Sequence, residues 1–365
     1  MIRTTGRWLA TTVILAGFAC PSGAALAQDS TWRADHDAGW KAYKEGRLDE
    51  AEKQLRAAEK VAATFGANDP RLATTLDHLS WVLCGKAKVE DAEPLAKRAL
   101  AIREQALGAD HPDVGKSLNT LACLYDMSGK PERAQPLYAR YLAITEKAKG
   151  AGDPSVAAVL DNLATVDHVL GKNAEAEAAY KRALAIREKA ANENHIDLAP
   201  TLYNLGVLYT DQGQYAAADP LLKRALAIRQ KALGAAHPDV ATSLEALGWS
   251  YAKQGKVAEA EPLLKQALSI FEDALGPIHP HVARCCAKLA HACCAQGKTT
   301  EAESCCKQAL ATYEKAPAAD PLGYAKALEE YANVLRNTNR VAEAGKLEAQ
   351  AKAIRAKQGR SGAPK

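Results

Sequence analysis

The sequence predicts an all-α solenoid built from antiparallel helix hairpins. A segment of 42 residues, from Ala199 to Val240, recurs along the chain with small changes. Within this segment, apolar residues return at spacings of three and four, which places them on one face of a helix. The segment contains two such stripes separated by a glycine. Each segment is therefore predicted to form a pair of helices that buries its apolar faces against neighbouring pairs.

The helices of the segment have recognisable starts and stops. The first helix is predicted from about Pro200 to Gln212, and Gly213 provides the permissive backbone of a tight turn. The second helix carries its apolar stripe at Ala218, Leu221, Leu222, Ala225, Leu226 and Ile228. Leu233-Gly234 predicts the end of this helix. The next helix starts at His237-Pro238-Asp239, because proline tolerates the first helical turn and the aspartate complements the helix dipole.

Ala218 is expected where the two helices approach most closely, since a larger side chain would keep them apart. The pattern resembles the tetratricopeptide repeat in its kinesin-light-chain-like form of 42 residues. The resemblance rests on Gly206 at position 8, Tyr209 at position 11, Ala218 at position 20 and Ala225 at position 27. It implies a right-handed superhelical solenoid whose first helices line a concave groove.

The equivalents of Ala218 define the repeats. They are spaced by 41 residues once and by 42 thereafter, at Ala51, Ala92, Ala134, Ala176, Ala260, Ala302 and Ala344. Eight repeats are therefore predicted over residues 28–355, with starts near residues 32, 73, 115, 157, 199, 241, 283 and 325. Residues 356–365 are predicted to be a disordered tail.

Residues 1–27 have the features of a secretory signal peptide. Arg3 and Arg7 precede an apolar run over residues 9–19, and small residues offer a cleavage site after Ala27. A lipoprotein signal at Cys20 is the alternative, but the leucine usual three residues before such a cysteine is absent. No second apolar run is long enough to span a membrane. The protein is expected to be exported, to a periplasm or the medium.

Charge and motifs argue against nucleic-acid binding and catalysis. The formal net charge of the whole chain is +4, whereas phosphate binding needs a concentrated basic face. Gly115-Lys116-Ser117 superficially matches a phosphate loop, but Asp110 stands where the loop needs its first glycine, and no strand precedes it. No other catalytic or cofactor motif is present. We expect neither an enzyme nor a cofactor.

Histidine recurs at one position of four repeats. These residues are His111, His195, His237 and His279. Equivalent atoms of successive repeats lie on the order of 10 Å apart, whereas zinc ligands converge within about 2 Å of one ion. The histidines are therefore assigned a structural role in the inter-repeat turn and not a metal site.

The groove face of the first helices supplies the candidate binding residues. Tryptophan occupies position 9 at Trp40, Trp81 and Trp249, and the amides of Asn162 and Asn204 at position 6 could hold a peptide backbone. Acidic residues are expected to make the central groove negative, namely Asp77, Asp126, Asp161, Asp211 and Glu245. Basic residues follow toward the C-terminal end, namely Arg284, Lys288, Lys326 and Arg336. No basic set matches the one that binds acidic peptides in related light chains.

These features favour a non-catalytic scaffold that binds a peptide or protein partner in its groove. The alternative is a redox or metal-binding module that uses the cysteines of repeat 7. Six of the nine cysteines lie there, at Cys285, Cys286, Cys293, Cys294, Cys305 and Cys306. They can be small buried hydrophobes, metal ligands, or partners in a Cys286–Cys306 disulfide. That pair is suggested by the antiparallel geometry of the hairpin. If positions 8 and 20 face each other across it, positions 4 and 24 should do so as well.

Overall fold

In six of the hairpins, the first helix starts at a capping side chain followed by a proline, namely at Pro70, Pro112, Pro154, Pro238, Pro280 and Pro321. Asp69 accepts a hydrogen bond from the Arg71 amide at 2.8 Å, and Asp153 accepts one from Ser155 at 2.9 Å. The recurring histidines do the same with the imidazole Nδ1, which accepts from the amide two residues later. The distances are 3.1 Å at His111, 3.3 Å at His195, 3.1 Å at His237 and 3.2 Å at His279. Each histidine thus satisfies an amide that has no partner within its helix.

A computed structural model of the chain describes residues 23–190, 195–315 and 320–361. Over those ranges it contains sixteen α-helices and no β-strand, so the predicted all-α fold is confirmed. The first four helices are α1 Gly23–Lys44, α2 Leu48–Thr64, α3 Pro70–Gly85 and α4 Val89–Leu107. The next six are α5 Pro112–Met127, α6 Pro131–Lys149, α7 Pro154–Val169, α8 Asn173–Ala190, α9 Leu198–Asp211 and α10 Tyr215–Leu233. The last six are α11 Pro238–Lys253, α12 Val257–Leu275, α13 Pro280–Ala295, α14 Thr299–Lys315, α15 Pro321–Asn337 and α16 Val341–Ser361.

The chain divides into two compact units, unit 1 (Met1–Ala106) and unit 2 (Leu107–Lys365). In unit 1, α1 packs on α2, and α2 packs on α3. In unit 2, consecutive helices pack pairwise from α5 to α16. The odd-numbered helix of each hairpin is called its A helix and the even-numbered one its B helix. The core of each unit lies between these helices.

Small residues set the closest approach of the two helices in a hairpin. All eight alanines at position 20, the predicted markers, are 0 % exposed. Gly206 at position 8 faces this contact, because a Cβ atom built there would lie 2.7 Å from the Leu222 side chain and 3.5 Å from the Ala218 carbonyl oxygen. Gly248 makes the equivalent approach to Leu264 and the Ala260 carbonyl. The close contact predicted at Ala218 is therefore present.

The outer ends of the array differ from the expected boundaries. Helix α1 begins at Gly23, before the start of repeat 1 expected near residue 32. The predicted signal peptide falls mostly on residues 1–22, which lie outside the described residues. Helix α16 continues to Ser361, past the expected boundary at residue 355. Alanine, lysine and glutamine at residues 356–358 are strong helix formers, which explains this continuation.

The tight contact at Gly206 gives a stability prediction. Replacing Gly206 with alanine is expected to destabilise unit 2 by about 1 kcal/mol, because the new methyl group would overlap the fully buried Leu222. Gly345 of α16 is the matched control, since a Cβ atom there would meet nothing within 4 Å. Gly345→Ala should stabilise by a few tenths to about 1 kcal/mol. Urea denaturation followed by circular dichroism measures both changes, and a stabilising Gly206→Ala would contradict the packing.

Candidate functional site

Two acidic residues at position 5 of the A helices are neutralised by arginines on the B helices. Positions are counted from the predicted start of each repeat. Asp77 and Asp161 both occupy position 5, and each forms an ion pair with the arginine at position 31 of its own repeat, Arg103 or Arg187. All four side chains are almost entirely withdrawn from water. The expectation that Asp77 and Asp161 make the groove acidic is therefore wrong, because their charges are buried and paired.

The same two positions interact in other repeats. In repeat 5 the guanidinium of Arg229 lies over the ring of Tyr203, with its central carbon 5.1 Å from the ring centroid. In repeat 8 Arg355 forms two hydrogen bonds of 2.8 Å to Glu329. These arginines were not predicted from the sequence. Their constant separation of 26 residues from an acidic or aromatic position 5 could have revealed them.

Repeat 6 departs from this arrangement. Its position 31 is Phe271, so Glu245 at position 5 has no arginine within its own repeat. Two residues of repeat 7 take over that role. Arg284 Nε donates to Glu245 Oε1 at 2.9 Å, Arg284 Nη2 donates to Oε2 at 2.8 Å, and Lys288 Nζ lies 3.2 Å from Oε1. Glu245 is buried at 1 % exposure, while Arg284 and Lys288 keep part of their side chains in solvent.

The charges around Glu245 dominate its titration. Burial alone would raise the pKa of this carboxyl group. The charge of Lys288 and the hydrogen bonds and charge of Arg284 outweigh burial and lower the pKa of Glu245 to about 2. The pKa of Arg284 is in turn raised, because its hydrogen bonds to Glu245 outweigh its own burial. Glu245 and Arg284 are therefore both ionised at neutral pH.

Arg284 and Lys288 of this cluster line a cleft in unit 2 with a volume of about 560 Å³. The cleft lies between the A helices α9, α11, α13 and α15, with contributions from α14 and α16. Its apolar lining includes Tyr203, Val207, Ala246, Trp249, Ala287 and Leu322. Its charged lining includes Asp211, Lys253, Arg284, Lys288, Asp320, Lys326, Glu329, Glu330 and Arg355. The cleft is large enough for a few side chains of a bound segment.

Trp249 is the largest aromatic side chain that lines this cleft. The ammonium groups of Lys253 and Lys288 lie over its ring, 4.7 Å and 5.6 Å from the centroid. His291 contacts the ring edge-on with a centroid separation of 5.2 Å, and His291 also pairs with Glu330 at 3.1 Å. The indole is therefore held by its neighbours while one part stays accessible. Such an ordered aromatic group can receive a ligand at small entropic cost.

The other predicted groove residues lie elsewhere. Trp40 and Trp81 belong to unit 1, where Trp40 stacks on His78 with centroids 3.8 Å apart and so serves packing within that unit. Asn162 donates from Nδ2 to Asn119 Oδ1 at 3.3 Å. Asn204 is half-buried beside the cleft residue Tyr203 and is not among the residues that line the cleft. Of the five predicted residues, Trp249 is the one that lines the cleft.

Comparison with known families fixes the class of this fold. Models described as tetratricopeptide repeat match residues 41–105, 82–147, 155–231 and 197–273, and a second model of the same description matches residues 251–322. Together these matches cover most of the chain. The chain belongs to the tetratricopeptide repeat family. The resemblance inferred from the repeat pattern is thus confirmed.

Solved structures of tetratricopeptide repeat proteins resemble this chain. BtubC (BKLC) from P. vanneervenii is 26 % identical with a TM-score of 0.50, covering 70 % of this chain and 94 % of its own. A kinesin light chain from Podosopora anserina with nearly identical TPR-like repeats is 27 % identical with a TM-score of 0.49, covering 56 % and 96 %. The apo quorum sensor NprR from B. thuringiensis is 13 % identical with a TM-score of 0.66, covering 90 % and 87 %. No curated protein matches the chain.

The thiols of this tetratricopeptide repeat protein are mostly buried. Cys285, Cys286, Cys293 and Cys306 are buried free thiols, and burial raises the pKa of each. Such thiols are poor nucleophiles, which disfavours the redox alternative. The Cys286–Cys306 bridge stays a prediction.

The Cys286–Cys306 pair was inferred by setting position 24 of the hairpin against position 4. In repeat 5, position 24 (Leu222) meets position 8 (Gly206). Position 4 (Leu202) instead belongs to one apolar cluster with position 27 (Ala225). By this register, Cys306 at position 24 meets position 8 of repeat 7. Cys286 and Cys306 belong to one buried apolar cluster.

One group of possible metal ligands occurs among the described residues. Glu261, Cys293 and Glu301 have ligand atoms within 4.8 Å of one another. The charge of Glu261 is already balanced, since Lys265 lies 2.7 Å from Oε1 and Lys298 lies 2.6 Å from Oε2. A cation would have to displace both ammonium groups, so the group carries no metal assignment. No described helix is both long and apolar enough to cross a membrane.

Proposed function

We propose that this tetratricopeptide repeat protein is a non-catalytic scaffold that holds a peptide segment of a partner protein in the unit 2 cleft. The observation that carries the proposal is the cleft itself, which presents Trp249 and several apolar side chains between four A helices. Hot spots of protein interfaces are rich in tryptophan, tyrosine and arginine in central pockets. The cleft offers all three, at Trp249, Tyr203, Tyr313 and Arg284. We further propose that the scaffold acts after export, because residues 1–27 have the features of a signal peptide.

The mechanism is recognition by preformed geometry. The two hydrogen bonds from Arg284 to Glu245 and the contacts of Lys253 and Lys288 with Trp249 fix the cleft side chains before a ligand arrives. Binding therefore requires the peptide segment to become ordered, whereas the cleft side chains are already ordered. An apolar side chain of that segment would lie against Trp249, Val207 and Leu322. Its backbone carbonyls would accept hydrogen bonds from the cationic groups of the cleft. Micromolar affinity, about 8 kcal/mol, is expected for a contact of this size.

Replacement of Trp249 by alanine tests this function. Random 12-residue peptides displayed on phage are selected on the purified wild-type chain, and the affinities of the enriched peptides are measured by fluorescence polarisation. Trp249→Ala should weaken binding at least tenfold, because the main apolar contact of the cleft is lost.

Lys253→Ala and Lys223→Ala form a matched pair of controls for the same cleft. Each lysine lies over an aromatic ring, Lys253 over Trp249 inside the cleft and Lys223 over Tyr251 outside it. Lys253→Ala should weaken binding, and Lys223→Ala should leave it unchanged. Equal binding by wild type and Trp249→Ala would place the binding site elsewhere and end the proposal.

A further inference from the structure

Glu245 is a buried acidic residue of position 5 in unit 2 whose neutralising cations line the ligand cleft, although its own carboxylate does not. Asp161 is paired with Arg187 of its own hairpin, and Arg187 does not line that cleft. Glu245 instead holds Arg284 and Lys288, both of which line it. The buried carboxylate therefore sits directly behind the groups that a ligand would meet.

The charges of the cleft are balanced only when Glu245 is included. Five cationic side chains line it, at Lys253, Arg284, Lys288, Lys326 and Arg355. Four carboxylates line it as well, at Asp211, Asp320, Glu329 and Glu330. Glu245 lies beneath them as the fifth. A ligand carboxylate would therefore gain no net attraction and would have to compete with Glu245 for the same donors.

The positions of the lysines point the same way. Lys253 and Lys288 rest over the Trp249 ring, where cation–π attraction holds their ammonium groups against the indole. Arg284 uses Nε and Nη2 for Glu245, and Nη2 also lies 2.8 Å from His281 Nδ1. Donors held in this way suit single hydrogen bonds to neutral acceptors such as peptide carbonyls. They are not arranged to close around an anion.

We propose that Glu245 is a built-in counter-ion that determines the specificity of the cleft, so that the cleft accepts peptide segments without net charge and rejects acidic ones. This inference rests on the proposed peptide-binding function. The partner segment is inferred to carry apolar or aromatic side chains and no net charge. Removal of the Glu245 charge leaves Arg284 and Lys288 without their counter-ion, and the cleft then becomes net positive.

The test compares Glu245→Gln with the wild-type chain and with Asp161→Asn. The asparagine variant is the matched control, because it removes a buried position 5 carboxylate and one charge without touching the cleft. Random 12-residue peptides on phage are selected on all three proteins in parallel, and the net charge of the enriched sequences is compared. Wild type and Asp161→Asn should enrich uncharged sequences. Glu245→Gln should enrich sequences with about one additional acidic residue, and should bind a fluorescein-labelled hexaglutamate peptide at least tenfold more tightly than wild type.

Two further measurements keep the outcomes distinct. Thermal melts by circular dichroism establish that each variant is folded, and the double variant Glu245→Gln/Lys288→Gln restores the charge balance and should return to uncharged sequences. If the wild type enriches acidic peptides, or if Glu245→Gln enriches the same uncharged peptides as the wild type, the proposed role of Glu245 is wrong. The proposed peptide-binding function is not affected by either result. Absence of any enrichment above the bait-free background would overturn both this inference and the proposed function.

Discussion

Replacement of Arg103 by methionine is expected to lower the free energy of unfolding of unit 1 by about 3–5 kcal/mol. Arg103 pairs with Asp77 and also donates to Thr74 Oγ1 at 3.1 Å, and both charged side chains are about 5 % exposed. The substitution keeps much of the volume but leaves the Asp77 carboxylate buried without its cation. A charge withdrawn from water in this way must either be protonated or be exposed by local unfolding. Guanidinium denaturation monitored by tryptophan fluorescence in a Trp249→Phe background measures the loss in unit 1.

Two controls separate the buried charge from the loss of a side chain. Arg355→Met breaks the register-equivalent pair with Glu329 in repeat 8, where both side chains are 42 % exposed. That change should cost unit 2 less than about 1 kcal/mol, as measured by guanidinium denaturation followed by the fluorescence of Trp249. The double variant Asp77→Leu/Arg103→Met removes both charges and should recover most of the lost stability. Equal losses for Arg103→Met and Arg355→Met would show that burial of the pair is not what matters.

Acidification is expected to weaken unit 1 through His78. Burial lowers the pKa of His78 to about 3, and the neighbouring His36, Arg103 and Lys44 add to the effect, while Asp37 opposes it. His78 Nδ1 lies 2.9 Å from His36 Nε2, and His36 Nδ1 lies 3.1 Å from Asp37 Oδ1. In this chain of hydrogen bonds His78 is held neutral, with Trp40 stacked on its ring.

The sign of the pH effect follows from the lowered pKa. The unfolded chain binds a proton on His78 near its ordinary pKa of 6.5, whereas the folded chain does not bind it until about pH 3. The contribution to stability is therefore complete above pH 6.5 and is lost progressively as the pH falls toward 3. Between pH 7 and pH 5 the loss is about 2 kcal/mol. Hydrogen exchange of α3 amides across this range measures it. His78→Phe should show a flatter profile, and an unchanged slope in that variant would refute the assignment.

Sequence reasoning was most effective where a residue type has one physical reason to be present. The alanines at position 20 and Gly206 mark close helix contacts, and the histidines before the prolines mark helix starts. These positions are local or depend on a fixed register, so a repeating pattern exposes them. The fold class followed from them directly.

The candidate site was predicted less well, because it depends on partners distant in sequence. Asp77 and Glu245 are both acidic residues at position 5, so the repeat pattern does not distinguish them. Asp77 forms an ion pair with Arg103 of its own hairpin. Glu245 forms ion pairs with Arg284 and Lys288, two cleft cations of the next repeat. Likewise, Trp40 and Trp249 share position 9, yet Trp40 is stacked on a histidine in unit 1 whereas Trp249 lines the cleft. Whether an aromatic side chain packs or binds is decided by the neighbouring repeat, which the position alone does not specify.

The arginines at position 31 also reach beyond their own hairpins. Arg187 Nη1 donates to Thr201 Oγ1, and Arg229 Nη1 donates to Ser243 Oγ at 2.8 Å, so each arginine joins one repeat to position 3 of the next. Fraying of one hairpin in unit 2 must therefore release a buried hydroxyl group of its neighbour. Because of this coupling, the segment that unfolds cooperatively is longer than a single repeat. Repeat 6 has Phe271 at position 31 in place of an arginine, and there the link to repeat 7 passes through Glu245 and Arg284. Opening of the array at that junction therefore separates Glu245 from Arg284, a residue that lines the cleft.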